Sequence, residues 1–348
     1  MPHEAANASI AWRSERSLPR FAWFAVFYNV LVVLWGALVR ASGSGAGCGN
    51  HWPLCNGQVI PVSPGFHTVI EFTHRMMTGP GDSVVIIALL IWTIRATAKR
   101  DAARFFAIAS TVLLVNEAFL GALLVKLSYV TDNQSVGRMV VLSVHFSNTL
   151  FLLAALTLTA WSLSHMPNQE PQDWRTLHRA RGFGWAVTGL VATVLVGVSG
   201  SMAALGDTLF PASSLSVAFA QDFAASSPML LRLRILHPAS ALAAALLVIW
   251  LVARSRQSEM PYAGREKSSP TELAPRASLV LVLLALQFAL GIADVLLLAP
   301  AWMQLLHLLG ADLYWVALVL LAAETVWPPV AAPAPSDSAT PGITVRVA

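Results

Sequence analysis

An all-α integral membrane protein, with eight transmembrane helices as two tandem pseudo-symmetric four-helix bundles, is the fold class that three observations predict. Of 348 residues, 56% are hydrophobic and only 11% are charged, against about 25% charged in soluble domains. Eight apolar stretches are each long enough to cross a hydrocarbon core of about 30 Å. The two halves of the chain repeat each other's motifs. This composition excludes a soluble dehydrogenase, a nucleic-acid binder and a disulfide-stapled secreted module, because none of these hides so much apolar surface with so few charges.

The stretches fall at about 21–39, 68–94, 104–126, 139–163, 182–200, 229–253, 277–299 and 302–326. The expected organisation is a cytoplasmic N-terminal tail (1–20), a first four-helix half (21–163), a cytoplasmic linker (164–181), a second half (182–326) and a disordered Pro/Ala/Ser-rich cytoplasmic tail (327–348). Basic residues set the orientation. Sixteen of the 22 Lys and Arg lie in the two terminal tails and in the 95–104, 164–181 and 254–276 connections, which the positive-inside rule places in the cytoplasm. Both termini are then inside, in a plasma or inner membrane. The net charge of +4 orients the chain in lipid and does not call for nucleic acid.

The repeat appears as Leu38-Val39-Arg40-Ala41-Ser42-Gly43-Ser44 against Leu195-Val196-Gly197-Val198-Ser199-Gly200-Ser201. It appears again as Glu117 with Leu120-Gly121 against Gln287 with Leu290-Gly291. A tandem duplication of a four-helix unit keeps both copies in one orientation.

Four histidines, His74, His145, His237 and His307, lie in the even-numbered helices at matching repeat positions and similar depth below the outer face. A single imidazole in a membrane helix can simply bond a neighbouring helix. Four at matched depth suit paired ligands in a bundle interior, and bis-imidazole ligation of haem iron is the natural reading. Zinc would want further ligands nearby.

Glu71 precedes His74 by three residues, so the two share a helix face, and its repeat partner is Arg234. An acid in one half alone suits proton handling. The alternative is an interfacial carboxylate snorkelling to water or pairing with Arg75. Cys48 and Cys55 lie on the oxidising side, where a disulfide is favoured; its small loop reads as either a structural clamp or a redox relay. Arg40, Arg75, Arg232 and Arg234 at the outer helix ends are candidates for contacts to haem propionates, or equally for anchors among lipid headgroups.

Gly36-Ala37-Leu38-Val39-Arg40 leading into Ser42-Gly43-Ser44-Gly45, then Cys48, Trp52-Pro53-Leu54-Cys55-Asn56-Gly57 and Glu71-Phe72-Thr73-His74-Arg75, closely resembles the haem A synthase family, bacterial and mitochondrial. Gly206-Asp207-Thr208-Leu209-Phe210-Pro211 and Arg234-Ile235-Leu236-His237-Pro238 resemble that family's second half. The likeness covers about residues 21–326.

The resemblance implies oxidation of a ring methyl of haem O to a formyl group, giving haem A for terminal oxidases. It implies a substrate site at His74 and His145, and a haem b electron relay at His237 and His307. It makes Glu71 the catalytic acid, and matches Cys48 and Cys55 to a loop pair affecting electron or haem handling. Haem O synthase, terminal oxidase assembly factors and an electron acceptor are the implied partners. Two features depart from the pattern: Glu117 stands where Gln is more usual, and the second half lacks a loop cysteine pair. Outside that family, the rival expectations are a non-catalytic dihaem cytochrome b and a haem transporter or chaperone.

Overall fold

A computed structural model describes residues 2–165, 174–180, 182–258 and 273–327. The expected disorder beyond Trp327, and most of the basic connections at 164–181 and 254–276, lie outside the described residues. Eight helices are long and apolar enough to cross a membrane. They are α1 (Pro2–Ala41), α2 (Phe66–Ala96), α3 (Ala102–Lys126), α4 (Val136–His165), α5 (Phe183–Leu209), α6 (Met229–Arg254), α7 (Pro275–Leu296) and α8 (Ala301–Val326). No strand is formed among the described residues.

Residues 2–20, expected as a tail, instead continue α1 without a break. Their Ala, Glu and Arg content favours helix, so apolarity alone marked where the span begins but not where the helix does. The connection after α5 also carries a short helix, Leu215–Phe223, whose N-cap Ser214 accepts from the Val217 amide.

Local sequence explains two further details. Asp101 caps α3 by accepting from the Ala103 amide at 2.8 Å, satisfying a donor that has no intrahelical partner. Within α2, Pro80 has no N–H for Met76 and its ring would meet that carbonyl. The helix widens there into a π turn, Met77–Gly81, a distortion common at functional sites. The Tyr28 hydroxyl donates to the Met77 carbonyl at 3.0 Å, which matters in lipid, where no water serves a loosened backbone group. Gly81 makes that approach possible, since a Cβ there would stand 2.2 Å from the Tyr28 oxygen.

Each successive set of four helices closes on itself. In the first, α1 meets α2 and α4, while α3 bridges α2 and α4; in the second, α5 meets α6 and α8, while α7 bridges α6 and α8. Helices α1, α4, α5 and α8 also pack together in the middle, where the two sets join. There Trp315 is fully buried and donates its indole N–H to the Leu150 carbonyl at 2.8 Å.

The distribution of side chains is that of a protein in lipid. Val84, Val112 and Val282 are each more than 60% exposed, whereas Asn29, Asp82, Asn148 and Asp312 are buried. In water, so much exposed apolar surface would drive association; facing acyl chains, it is where it belongs.

Candidate functional site

All four predicted histidines lie about two turns in from the loop ends of α2, α4, α6 and α8. Each imidazole rests against a glycine of the preceding helix. A Cβ at Gly36 would lie 3.1 Å from His74 Cε1, at Gly200 2.9 Å from His237 Cε1, at Gly291 3.2 Å from His307 Cε1, and at Gly121 3.6 Å from His145 Nε2. Four rings are thus admitted by four missing side chains. Histidine spacing does not point to this function of the glycines; the signal for it in the sequence is a glycine in every odd-numbered helix of the repeat.

The structure also corrects the register of the first repeat motif. Gly43, matched to Gly200 by sequence, lies beyond α1 in a left-handed turn with φ of 67°. Gly200 is inside α5 against His237, the place that Gly36 takes against His74. Seven residues, two helical turns, separate Gly36 from Gly43, and such a shift keeps the same face in view. That is why the similarity of the strings misled.

In the second half, the His237 and His307 ring centroids lie 6.3 Å apart with the ring planes at 78° to each other. An iron with metal–imidazole bonds of about 2 Å on both sides requires ring centres about 6 Å apart, so this pair fits a bis-imidazole haem. Ser199 Oγ lies 3.3 Å from His237 Nδ1 and also contacts Ser240 Oγ at 2.8 Å. Among the described residues, no group of three or more His, Cys, Asp or Glu side chains is placed to hold a metal ion. A porphyrin brings four nitrogens of its own and asks the protein only for axial ligands, which this donor set can supply.

In the first half, the loop between α1 and α2 is fastened onto α2 one turn before His74. Cys48 and Cys55 form a disulfide and both are buried. Glu71, 3% exposed, accepts from the Cys48 amide at 2.7 Å through Oε2. Its Oε1 accepts from Arg75 Nε at 3.1 Å and from Arg75 NH2 at 2.5 Å. Arg75 reaches on to the His51 and Leu54 carbonyls at 2.5 and 2.6 Å. Thr68 Oγ1 donates to the Gly47 carbonyl at 2.8 Å. The pairing of Glu71 with Arg75, one of the two readings open from sequence, is therefore present, together with a backbone contact that no spacing argument foresaw.

The repeat partner of Glu71 works the same way with opposite charge. Arg234 pairs with Asp207 at 2.8 Å and with Asp222 at 2.7 Å, and donates to the Ala218 carbonyl at 3.3 Å. It thereby ties the loop helix and the end of α5 to the segment that carries His237. Arg40 donates to the Ala204 carbonyl at 2.6 Å, Thr208 Oγ1 at 2.8 Å and Gln304 Oε1 at 3.0 Å, so it joins the halves. Three of the four arginines proposed from sequence as propionate contacts thus have protein partners; Arg232 is exposed at the start of α6.

The glycine contacts carry a prediction. Replacing Gly200 with Ala is expected to push the His237 ring out of line, an overpacking cost of about 1–3 kcal/mol, and to weaken the haem absorption of the second half. Gly121→Ala, whose Cβ would meet only an ordinary contact at 3.6 Å, is expected to leave the spectrum unchanged. Equal spectra for the two purified variants would show that the glycines do not set the rings.

Known proteins resemble this chain in sequence. A protein of Thermus thermophilus named protoheme IX farnesyltransferase is 42% identical over 317 residues, covering 89% of this chain and 48% of that protein. A heme A synthase of Exiguobacterium sibiricum is 34% identical over 155 residues, 44% of this chain and 49% of its own length. A heme A synthase of Geobacillus kaustophilus is 38% identical over 144 residues, 41% and 43% respectively. The chain spans about half the length of the curated relatives it matches or somewhat less. The sequence profile of the COX15-CtaA family, described as cytochrome oxidase assembly protein, matches residues 19–319, a range that takes in all four histidines, Glu71 and the disulfide loop. This multi-pass membrane chain belongs to the COX15-CtaA family of cytochrome oxidase assembly proteins.

Proposed function

We propose that the chain is a haem A synthase, an oxidoreductase that converts a ring methyl of haem O to a formyl group. The observation that carries this reading is the unequal pair of histidine sites within one duplicated fold. One half holds two imidazoles spaced for a haem. The other has a buried carboxylate, tied to a disulfide loop, one turn before His74 on the same helix. Membership of the family, with heme A synthases among the relatives, supports the same reading.

His237 and His307 would hold haem b, which supplies one-electron transfer when bound. His74 and His145 would grip the substrate, with Gly36 and Gly121 leaving space for their rings. Taking a methyl to a formyl group with water as the oxygen source releases four electrons, which must leave to an external acceptor, and four protons, so a proton acceptor is needed close by. Glu71 is the candidate, since an imidazole occupied by iron cannot serve. Cys48 and Cys55 keep the loop closed over that carboxylate; a redox function of the pair remains a separate proposal. Arg232 is the arginine left to meet a propionate at the outer face.

The protein would sit in the plasma or inner membrane with both termini in the cytoplasm, as the basic connections favour. The Thermus relative named for farnesylating protohaem shares this region over 48% of its length, which supports a haem O-producing enzyme as neighbour. Terminal oxidase assembly factors would receive the product.

Pigment extraction after expression with and without a haem O source tests the proposal. A formyl haem is expected only when haem O is supplied. Recovery of unmodified haem O and no formyl haem when haem O is supplied would overturn the enzyme in favour of a dihaem cytochrome.

A further inference from the structure

The four histidines differ in what touches Nδ1. Glu117, on α3, places Oε1 at 3.2 Å from His145 Nδ1. The same oxygen accepts from Thr149 Oγ1 at 2.5 Å, and Oε2 accepts from Asn148 Nδ2. Asn148 also donates to the Leu113 carbonyl at 2.9 Å and accepts from Asn116 Nδ2 at 2.8 Å. The carboxylate is thus held by two side chains of α4, one of them anchored in turn on α3, and its position beside the ring is built rather than incidental.

At the matching place in the second half stands Gln287. Its amide donates to the His307 backbone carbonyl at 3.2 Å, and His307 Nδ1 is buried with no hydrogen-bond partner among the described residues. His74 Nδ1 is likewise buried without one, and His237 Nδ1 faces a hydroxyl. One imidazole of four is backed by a carboxylate.

A carboxylate beside one ring nitrogen selects the tautomer with its hydrogen on that nitrogen. It leaves the other as a lone pair, and makes the ring a stronger donor to a metal. We infer that Glu117 is the positioning residue of His145, holding the hydrogen on Nδ1 so that Nε2 keeps its lone pair for a metal, and making the first-half ligand pair more electron-donating than the second. The duplicated fold thereby presents two chemically different ligand pairs. Neither the repeat nor the histidine spacing announces this. The inference rests on reading the first half as a haem site.

The test uses the full-length protein in detergent, titrated with ferric protohaem IX, with the midpoint potential of each bound haem read by spectroelectrochemistry. His145→Ala first identifies which signal belongs to the first half. Glu117→Gln has nearly the same shape and no charge. It is expected to weaken first-half binding about 10–100-fold, the usual effect of losing such a partner, and to raise that haem's potential, with the second-half haem unchanged in both respects. Unchanged affinity and potential would overturn the inference, as would equal shifts at both haems, which mark a general structural effect. If His145→Ala removes neither signal, the first-half reading itself fails and the inference falls with it.

Discussion

Replacing His307 by alanine is expected to abolish the bis-imidazole absorption of the second half. The ring centroid lies 6.3 Å from that of His237, and no third His, Cys, Asp or Glu is gathered there among the described residues to take its place. Loss of a supporting partner costs about 10–100-fold in metal affinity, so loss of an axial ligand should cost more than about 100-fold. The measurement is the reduced-minus-oxidised spectrum of the purified variant, with the first-half signal as control for folding. An unchanged spectrum would remove His307 from the haem site. Because the proposed relay would be missing, formation of formyl haem should stop as well.

Glu71→Ala is the second large effect. It is expected to lower formyl-haem production by about 10²–10⁴-fold, the usual contribution of a positioned acid or base, while the second-half spectrum persists. The same change removes an acceptor from the Cys48 amide and a partner from Arg75, at a stability cost of about 1–3 kcal/mol for buried groups left unpaired. Glu71→Gln separates the two consequences. Its amide oxygen can still receive the Cys48 N–H, but the group no longer takes up a proton. Product formation equal to wild type in Glu71→Gln would make this side chain a loop anchor and nothing more.

The second outcome has a specific structural motive. Arg234, the counterpart of Glu71, fastens the loop between α5 and α6 through Asp207 and Asp222. Strapping a loop over the histidine helix is therefore common to both halves. From sequence, an acid in one half alone is a sign of chemistry; in the structure, the position has a mechanical task in each half. What is peculiar to the first half is the sign of the charge and its closeness to the disulfide, and the glutamine variant tests that peculiarity.

The eight spans and the helix class were legible in the sequence. Each depends on runs of apolar residues or on repeated spacing, and lipid allows few structures other than helices to satisfy their own backbone. The positions of the histidines in the even-numbered helices were legible for the same reason. Residues 2–20 were not, because a helix need not be apolar to continue beyond the span. The π turn at Met77–Gly81 follows from Pro80, but its use by Tyr28 depends on a residue 49 positions away.

The sequence alone determined that eight helices are long and apolar enough to cross a bilayer and that imidazoles recur about two turns from the ends of alternate helices, since hydropathy and helical period act along the chain. The tertiary structure decided which neighbour each imidazole has: a glycine face for all four, a hydroxyl beside His237, a carboxylate beside His145. It also decided that Gly200 answers to Gly36 and not to Gly43. These are choices of helix rotation and offset between segments far apart in the chain. A shift of seven residues leaves a helix face nearly unchanged in sequence terms, so only packing across the bundle distinguishes one register from the other.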